Sequence, residues 1–148
     1  MAGSFRGHHQ HKISDTGRIS VPSKFRDILK VKYGSDELTL LAMEDHLRLY
    51  PTAEWDREEA RLEEEASDDG EFQEFLRLLY ADMDDLSIDK NGRVMITSDI
   101  RERCGIKGEC IINGLRNHFE IWPAAVWESK SSDDKKAELY KKFAGKIR

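Results

Sequence analysis

The stretch Ser14-Asp15-Thr16-Gly17-Arg18-Ile19-Ser20-Val21-Pro22-Ser23-Lys24-Phe25-Arg26 returns half a chain later as Asp89-Lys90-Asn91-Gly92-Arg93-Val94-Met95-Ile96-Thr97-Ser98-Asp99-Ile100-Arg101. The chain is therefore built twice. In each copy an apolar residue, Ile13 or Ile88, precedes a polar turn that closes on Gly-Arg. Glycine at that place predicts positive φ in a tight reversal, and Asn91-Gly92 is a strong short hairpin signal. An alternating strand follows, with Ile19 and Val21 in one copy and Val94 and Ile96 in the other. Ser23 and Ser98 then stand where a hydroxyl would cap a short helix. Phe25, Ile28 and Leu29 give the first of these helices its apolar face. Ile100 and Cys104 serve the second before Gly105 ends it.

The repeat runs on. His46-Leu47-Arg48-Leu49-Tyr50-Pro51 matches His118-Phe119-Glu120-Ile121-Trp122-Pro123, and Trp55 matches Trp127 at the same offset. Each unit reads as strand, turn, strand, short helix, hairpin, then a proline that opens a long helix. The hairpins are expected over residues 38–50, around Met43-Glu44-Asp45, and over residues 110–122, around Asn113-Gly114. Trp55 and Trp127 read as the first apolar anchors of the helices after proline, each packed on its own hairpin.

Units of about fifty residues bury little core alone, so the halves should pack on one another or on neighbouring copies. No apolar run is long enough to cross a bilayer and the N-terminus has no signal-peptide core, so a cytoplasmic protein is expected, without a membrane partner. Met1 to Ser4 carry no structural signal. Cys104 and Cys110 fit a reducing compartment and give only a weak metal signal. The histidines of Phe5 to Lys12 have no carboxylate or cysteine at ligand spacing, and read better as a solvated or phosphate-facing strand than as a metal site. No catalytic constellation and no phosphate cradle is present, so neither an enzyme nor a cofactor is expected.

The net charge of −5 hides a strong polarity. From Met1 to Lys32 seven basic residues, Arg6, Lys12, Arg18, Lys24, Arg26, Lys30 and Lys32, face only Asp15 and Asp27, a local +5. From Glu54 to Asp89 fifteen acids face Arg57, Arg61 and Arg77, a local −12. A duplex approaching the molecule is expected to meet Arg6, Lys12, Arg18, Lys24 and Arg26 first, helped by His8, His9 and His11 as pH falls toward about 6. Arg93 has Asp89 four residues before it and is expected to fix its own turn as an ion pair. In the first copy Ser14 holds that place, which leaves Arg18 freer to reach phosphate.

Between the halves, Glu54 to Ala66 reads as an acidic helix interrupted at Ser67-Asp68-Asp69-Gly70. A second helix follows, with an apolar stripe of Phe72, Phe75, Leu76, Leu79 and Met83. Leu139, Tyr140, Phe143 and Ile147 mark an amphipathic C-terminal helix, preceded by the charged stretch Ser129 to Lys136. That stripe needs a partner in the same or the next copy. The division is thus 5–53 for the first unit, 54–84 for a helical connector, 85–125 for the second unit and 126–148 for the C-terminal helix.

The duplicated turn, strand, helix and hairpin resemble the MraZ family of bacterial transcriptional regulators, made of two AbrB-like units. The resemblance covers nearly everything from Phe5 to the C-terminal helix. It is carried by Phe5-Arg6-Gly7, by Gly17-Arg18-Ile19-Ser20-Val21-Pro22 with Phe25-Arg26, and by Asp89-Lys90-Asn91-Gly92-Arg93, which satisfies the family's Asp, three residues, Arg pattern. The motif and turn residues are accordingly Ser14, Gly17, Asp89, Gly92 and Arg93, with Ser14 in the Asp place and Thr16 where lysine is common.

The resemblance implies an α+β fold with a small β-barrel core from the two units, flanked by helices and assembled as a homo-oligomeric ring. It implies binding to double-stranded promoter DNA at tandem short repeats and control of a division and cell-wall gene cluster, usually as a repressor. Two other readings are a ring-forming protein-interaction module and an AbrB-like antitoxin. The antitoxin would need a long disordered tail, and this C-terminus reads as short and helical.

Overall fold

The computed structural model describes residues 3–65 and 69–148; Met1, Ala2 and residues 66–68, which include Ser67 and Asp68 of the expected helix break, lie outside them. The first unit contributes β1 (His8–Ile13), β2 (Arg18–Ser20), α1 (Ser23–Ile28), β3 (Glu37–Ala42) and β4 (Leu47–Pro51). Helices α2 (Thr52–Glu65) and α3 (Gly70–Ala81) follow. The second unit repeats the pattern as β5 (Asp84–Ser87), β6 (Arg93–Met95), α4 (Ser98–Cys104), β7 (Gly108–Leu115) and β8 (His118–Pro123). Helices α5 (Ala124–Lys130) and α6 (Asp133–Phe143) follow, with one 3-10 turn over Ala144–Lys146 after them. The fold is α+β, as expected.

The units interlock rather than stand side by side. A six-stranded antiparallel sheet runs β1-β7-β8-β4-β3-β5, and β2 pairs with β6 in a separate ladder. The sheet is open, with β1 and β5 at its ends; β2 lies beside β1 and β6 beside β5, so the small ladder bridges the opening. Equivalent residues of the repeat meet each other: Ile19 faces Val94 in the small ladder, and Arg48 faces Glu120 where β4 pairs with β8. An internal pseudo-twofold axis passes through both pairs. The strands on either side of each Gly-Arg turn therefore find their ladders in the other unit, β1 on β7 and β2 on β6, where a local strand-turn-strand pair was expected.

One core serves both halves. Phe5, Phe25 and Phe119 are buried in mutual ring contact, with centroids 5.2 to 5.4 Å apart, among Ile19, Leu38, Leu49, Val94, Ile112 and Ile121. Removing one such ring from a close-packed core costs about 3–5 kcal/mol, so the halves share a single folding unit. Cys104 and Cys110 are free and buried, and burial pushes each thiol up to about 11.

The outer face of the sheet repeats the symmetry in aromatic stacks. His46 stacks on Trp122 at 4.0 Å, and its counterpart His118 stacks on Tyr50 at 4.4 Å. Trp55 packs beside Tyr50 and Trp127 beside Trp122, so each tryptophan anchors its helix on its own hairpin.

Several local expectations are corrected. Ser23 and Ser98 begin their helices and do not cap them. In the second copy Thr97, extended at φ −63° and ψ 154°, accepts the Ile100 N–H at 3.5 Å; in the first Pro22 stands there with no side-chain cap. The β7–β8 reversal falls at Arg116-Asn117, with Arg116 at φ 66°, and not at Asn113-Gly114. Gly114 serves a close approach instead, because a Cβ there would lie 2.4 Å from the Arg6 backbone nitrogen. Pro123 opens a short helix of seven residues, where Pro51 leads into one of fourteen. Among the described residues no helix is long and apolar enough to cross a membrane.

Candidate nucleic-acid interface

The two Gly-Arg turns are built by the same bonds. Ser14 Oγ accepts the Arg18 N–H at 3.0 Å, and Asp89 Oδ1 accepts the Arg93 N–H at 3.0 Å and the Asn91 N–H at 2.8 Å. Gly17 and Gly92 close the turns at φ 87° and 77°. The Arg93 guanidinium does reach Asp89, but at 3.9 Å and half exposed. The expected turn-fixing pair is thus made chiefly through the backbone. The same bonds, above all the Arg93 N–H, hold the Asp89 carboxyl below its ordinary value, with the charges of Arg93 and Arg18 adding to the effect.

Ile19 and Val94 point into the core, so strand alternation turns Arg18, Ser20, Arg93 and Met95 to the outside of the small ladder. Arg18 is exposed, donates from Nη1 to Thr16 Oγ1 at 3.1 Å, and makes no ion pair among the described residues. Met95, opposite Arg18 in the ladder, is 48 % exposed.

Two further arginines frame this face. Arg26 Nε donates to Val21 O at 3.1 Å, and its guanidinium crosses to the other unit, where a Cβ on Gly92 would sit 2.9 Å from Cζ. Arg101 repeats the arrangement: Nε donates to Ile96 O at 3.0 Å, Nη1 reaches Asp15 O at 3.4 Å, and a Cβ on Gly17 would sit 2.9 Å from Nε. Backbone bonds from Val21 N to Gly92 O at 2.9 Å and from Ile96 N to Gly17 O at 2.8 Å tie each strand to the opposite turn. Four arginines, two from each unit, thus surround one twofold ladder.

The residues expected from sequence do not form one patch. Arg18 and Arg26 come together at the ladder, joined by Arg93 and Arg101. Arg6 lies beyond the far end of β1, held by Ser4 Oγ at 2.9 Å, while Lys12 sits at the near end opposite Glu109; six strand residues span about 20 Å. Lys24 is exposed at the start of α1, close enough for its charge to act on His9. Burial and the neighbouring His11, Lys24 and His8 lower the His9 pKa, which corrects the expectation that all three histidines gain charge near pH 6. Arg101 escaped the sequence reading although it holds the place of Arg26 in the repeat, and that equivalence was the signal that could have found it.

Residues 4–78 and 79–147 each match the family described as "MraZ protein, putative antitoxin-like". The chain belongs to the MraZ family. The two matches divide it near the end of α3, between the two halves of the pseudo-twofold. A protein named transcriptional regulator MraZ from Acetivibrio thermocellus is 32 % identical over 130 residues, 88 % of each chain. One of the same name from Syntrophobacter fumaroxidans is 30 % identical over 131 residues, 88 % of this chain and 87 % of that one. Another from Neisseria gonorrhoeae is 33 % identical over 139 residues, 91 % and 92 %. MraZ proteins are named as regulators and not as enzymes.

Proposed function

We propose that this chain is a cytoplasmic, nucleoid-associated transcriptional regulator that binds double-stranded DNA through the outer face of the β2–β6 ladder. The observation that carries the reading is the meeting of Arg18, Arg26, Arg93 and Arg101 about one twofold, while the acids of α2 stand on a separate element. Guanidinium groups suit phosphate because they offer paired donors in one plane. The twofold suits a duplex, whose two strands are themselves related by local twofold axes. Arg18 supplies the freest contact, and Arg93, weakly held by Asp89 across 3.9 Å, a second. Arg6, Lys12 and Lys24 would touch phosphates flanking that centre.

A face this small gives modest affinity for a single site. Useful binding requires several copies on one DNA, so the reading extends to a homo-oligomeric ring on tandem short repeats, repressing its own division and cell-wall gene cluster. A footprint on the DNA upstream of its own gene tests this. Protection of regularly spaced short repeats is the expected result, and uniform or absent protection contradicts it. A reporter driven by that DNA gives the sign of regulation, with repression expected.

A further inference from the structure

Every residue from 132 to 148 is exposed, so α6 stands off the body of its own chain. It is nonetheless capped, with Ser132 Oγ accepting the Lys135 N–H at 3.3 Å, and it presents Leu139, Tyr140, Phe143 and, beyond it, Ile147 along one side, 41 to 83 % exposed. From Leu139 onward the only charged side chains are Lys141, Lys142, Lys146 and Arg148. The stripe lines a shallow hollow of about 500 Å³. A helix with one apolar side and a basic flank, free on all sides, is built to lie on something acidic and apolar.

The same chain carries such a surface. Leu79 of helix α3 and Met83, just past its end, pack half-buried against Leu41, Tyr50 and Trp55, but Phe75 is 49 % and Leu78 67 % exposed, three residues apart on one flank of the helix. Beside it α2 carries seven acids against Arg57 and Arg61. Ion pairs within α2 use part of this charge, and Glu63 and Glu64 are exposed beyond them.

We infer that the α2–α3 hairpin of one copy is the seat for α6 of the next copy, with the Leu139-Tyr140-Phe143 stripe on Phe75 and Leu78 and the terminal lysines over the acids of α2. The inference rests on the homo-oligomer reading above and specifies its joint. The two surfaces differ, so the contact is head-to-tail: each copy gives one helix and receives another, and repetition closes a ring or continues as a filament.

Two double variants of the full chain separate the possibilities: Tyr140→Glu with Phe143→Glu, and Phe75→Glu with Leu78→Glu, each checked for native circular dichroism and sized by light scattering. Wild type is expected at several times the 17.1 kDa chain mass, and each variant alone near one chain mass. Mixed in equal amounts, they retain one good seat and one good helix between them, and should form a species of two chains and no larger. A symmetric α6–α6 contact gives the opposite pattern: the Phe75 and Leu78 variant keeps its wild-type size, which overturns the joint. An assembled wild type unaffected by either variant overturns the joint and leaves the oligomer reading standing. A wild type of one chain mass overturns both.

Discussion

Ser14 and Asp89 occupy equivalent places in the two turns, and each accepts the backbone N–H of the arginine four residues on, at 3.0 Å in both cases. A neutral hydroxyl thus performs the structural task of a carboxylate. What the second turn has in addition is a negative charge beside its arginine, and that difference separates the electrostatics of the two turns without separating their geometry.

Asp89→Ser should therefore fold with little loss, since Ser14 already shows that a hydroxyl suffices, whereas Asp89→Ala should lower the melting temperature more than Arg93→Ala. Because the Asp89 pKa is depressed from 3.8, its stabilisation is complete above that value and is lost as pH falls through the lower folded value. Melting curves of the three variants at pH 7 and below pH 4 check this. Arg93→Ala being the most damaging would return the turn to its ion pair.

Gly17→Ala should be worse than Gly92→Ala. Both residues hold left-handed backbone, which costs a non-glycine residue about 1–2 kcal/mol. At Gly17 the new Cβ would also meet the Ile96 carbonyl oxygen at 2.2 Å, while at Gly92 it meets the movable end of Arg26. Urea denaturation of the two variants ranks them, and equal or reversed losses would count against the crossing of strand and turn described for the ladder.

Burial lowers His118 from 6.5 to about 4. The folded state thus refuses a proton that the unfolded chain accepts below 6.5. Above that pH the group contributes nothing. As pH falls from 6.5 toward 4 it withdraws on the order of 3 kcal/mol, by the conversion of a pKa shift into free energy. His118→Gln should flatten the decline of stability between pH 7 and 5, measured by thermal melts. An unchanged slope would place the acid sensitivity elsewhere.

The duplication, the turn glycines, the β3–β4 hairpin and the two tryptophan anchors were legible because each is a local pattern repeated at a fixed offset. The crossing of the units was not. Periodicity says that Ile19 and Val94 are core residues, but nothing local says that they face each other and not partners in their own units. The same limit hid the role of Gly114, whose Asn-Gly context is that of a turn while its reason is the passage of Phe5 and Arg6 overhead. It also hid the arginine cluster, since Arg26 serves the turn of the opposite unit and Arg101 acquires meaning only once that exchange is seen.

If one composite face, and not the first unit alone, meets DNA, then affinity for the upstream repeats, measured against salt concentration for wild type, Arg18→Ala and Arg93→Ala, each shown to assemble normally, reveals it. Each variant should weaken binding, Arg18→Ala the more strongly. Each should also reduce the slope of log affinity against log salt by about 1 for every phosphate that a bound subunit no longer neutralises. Binding and slope left at wild-type values by Arg18→Ala and Arg93→Ala alike would remove the ladder from the interface.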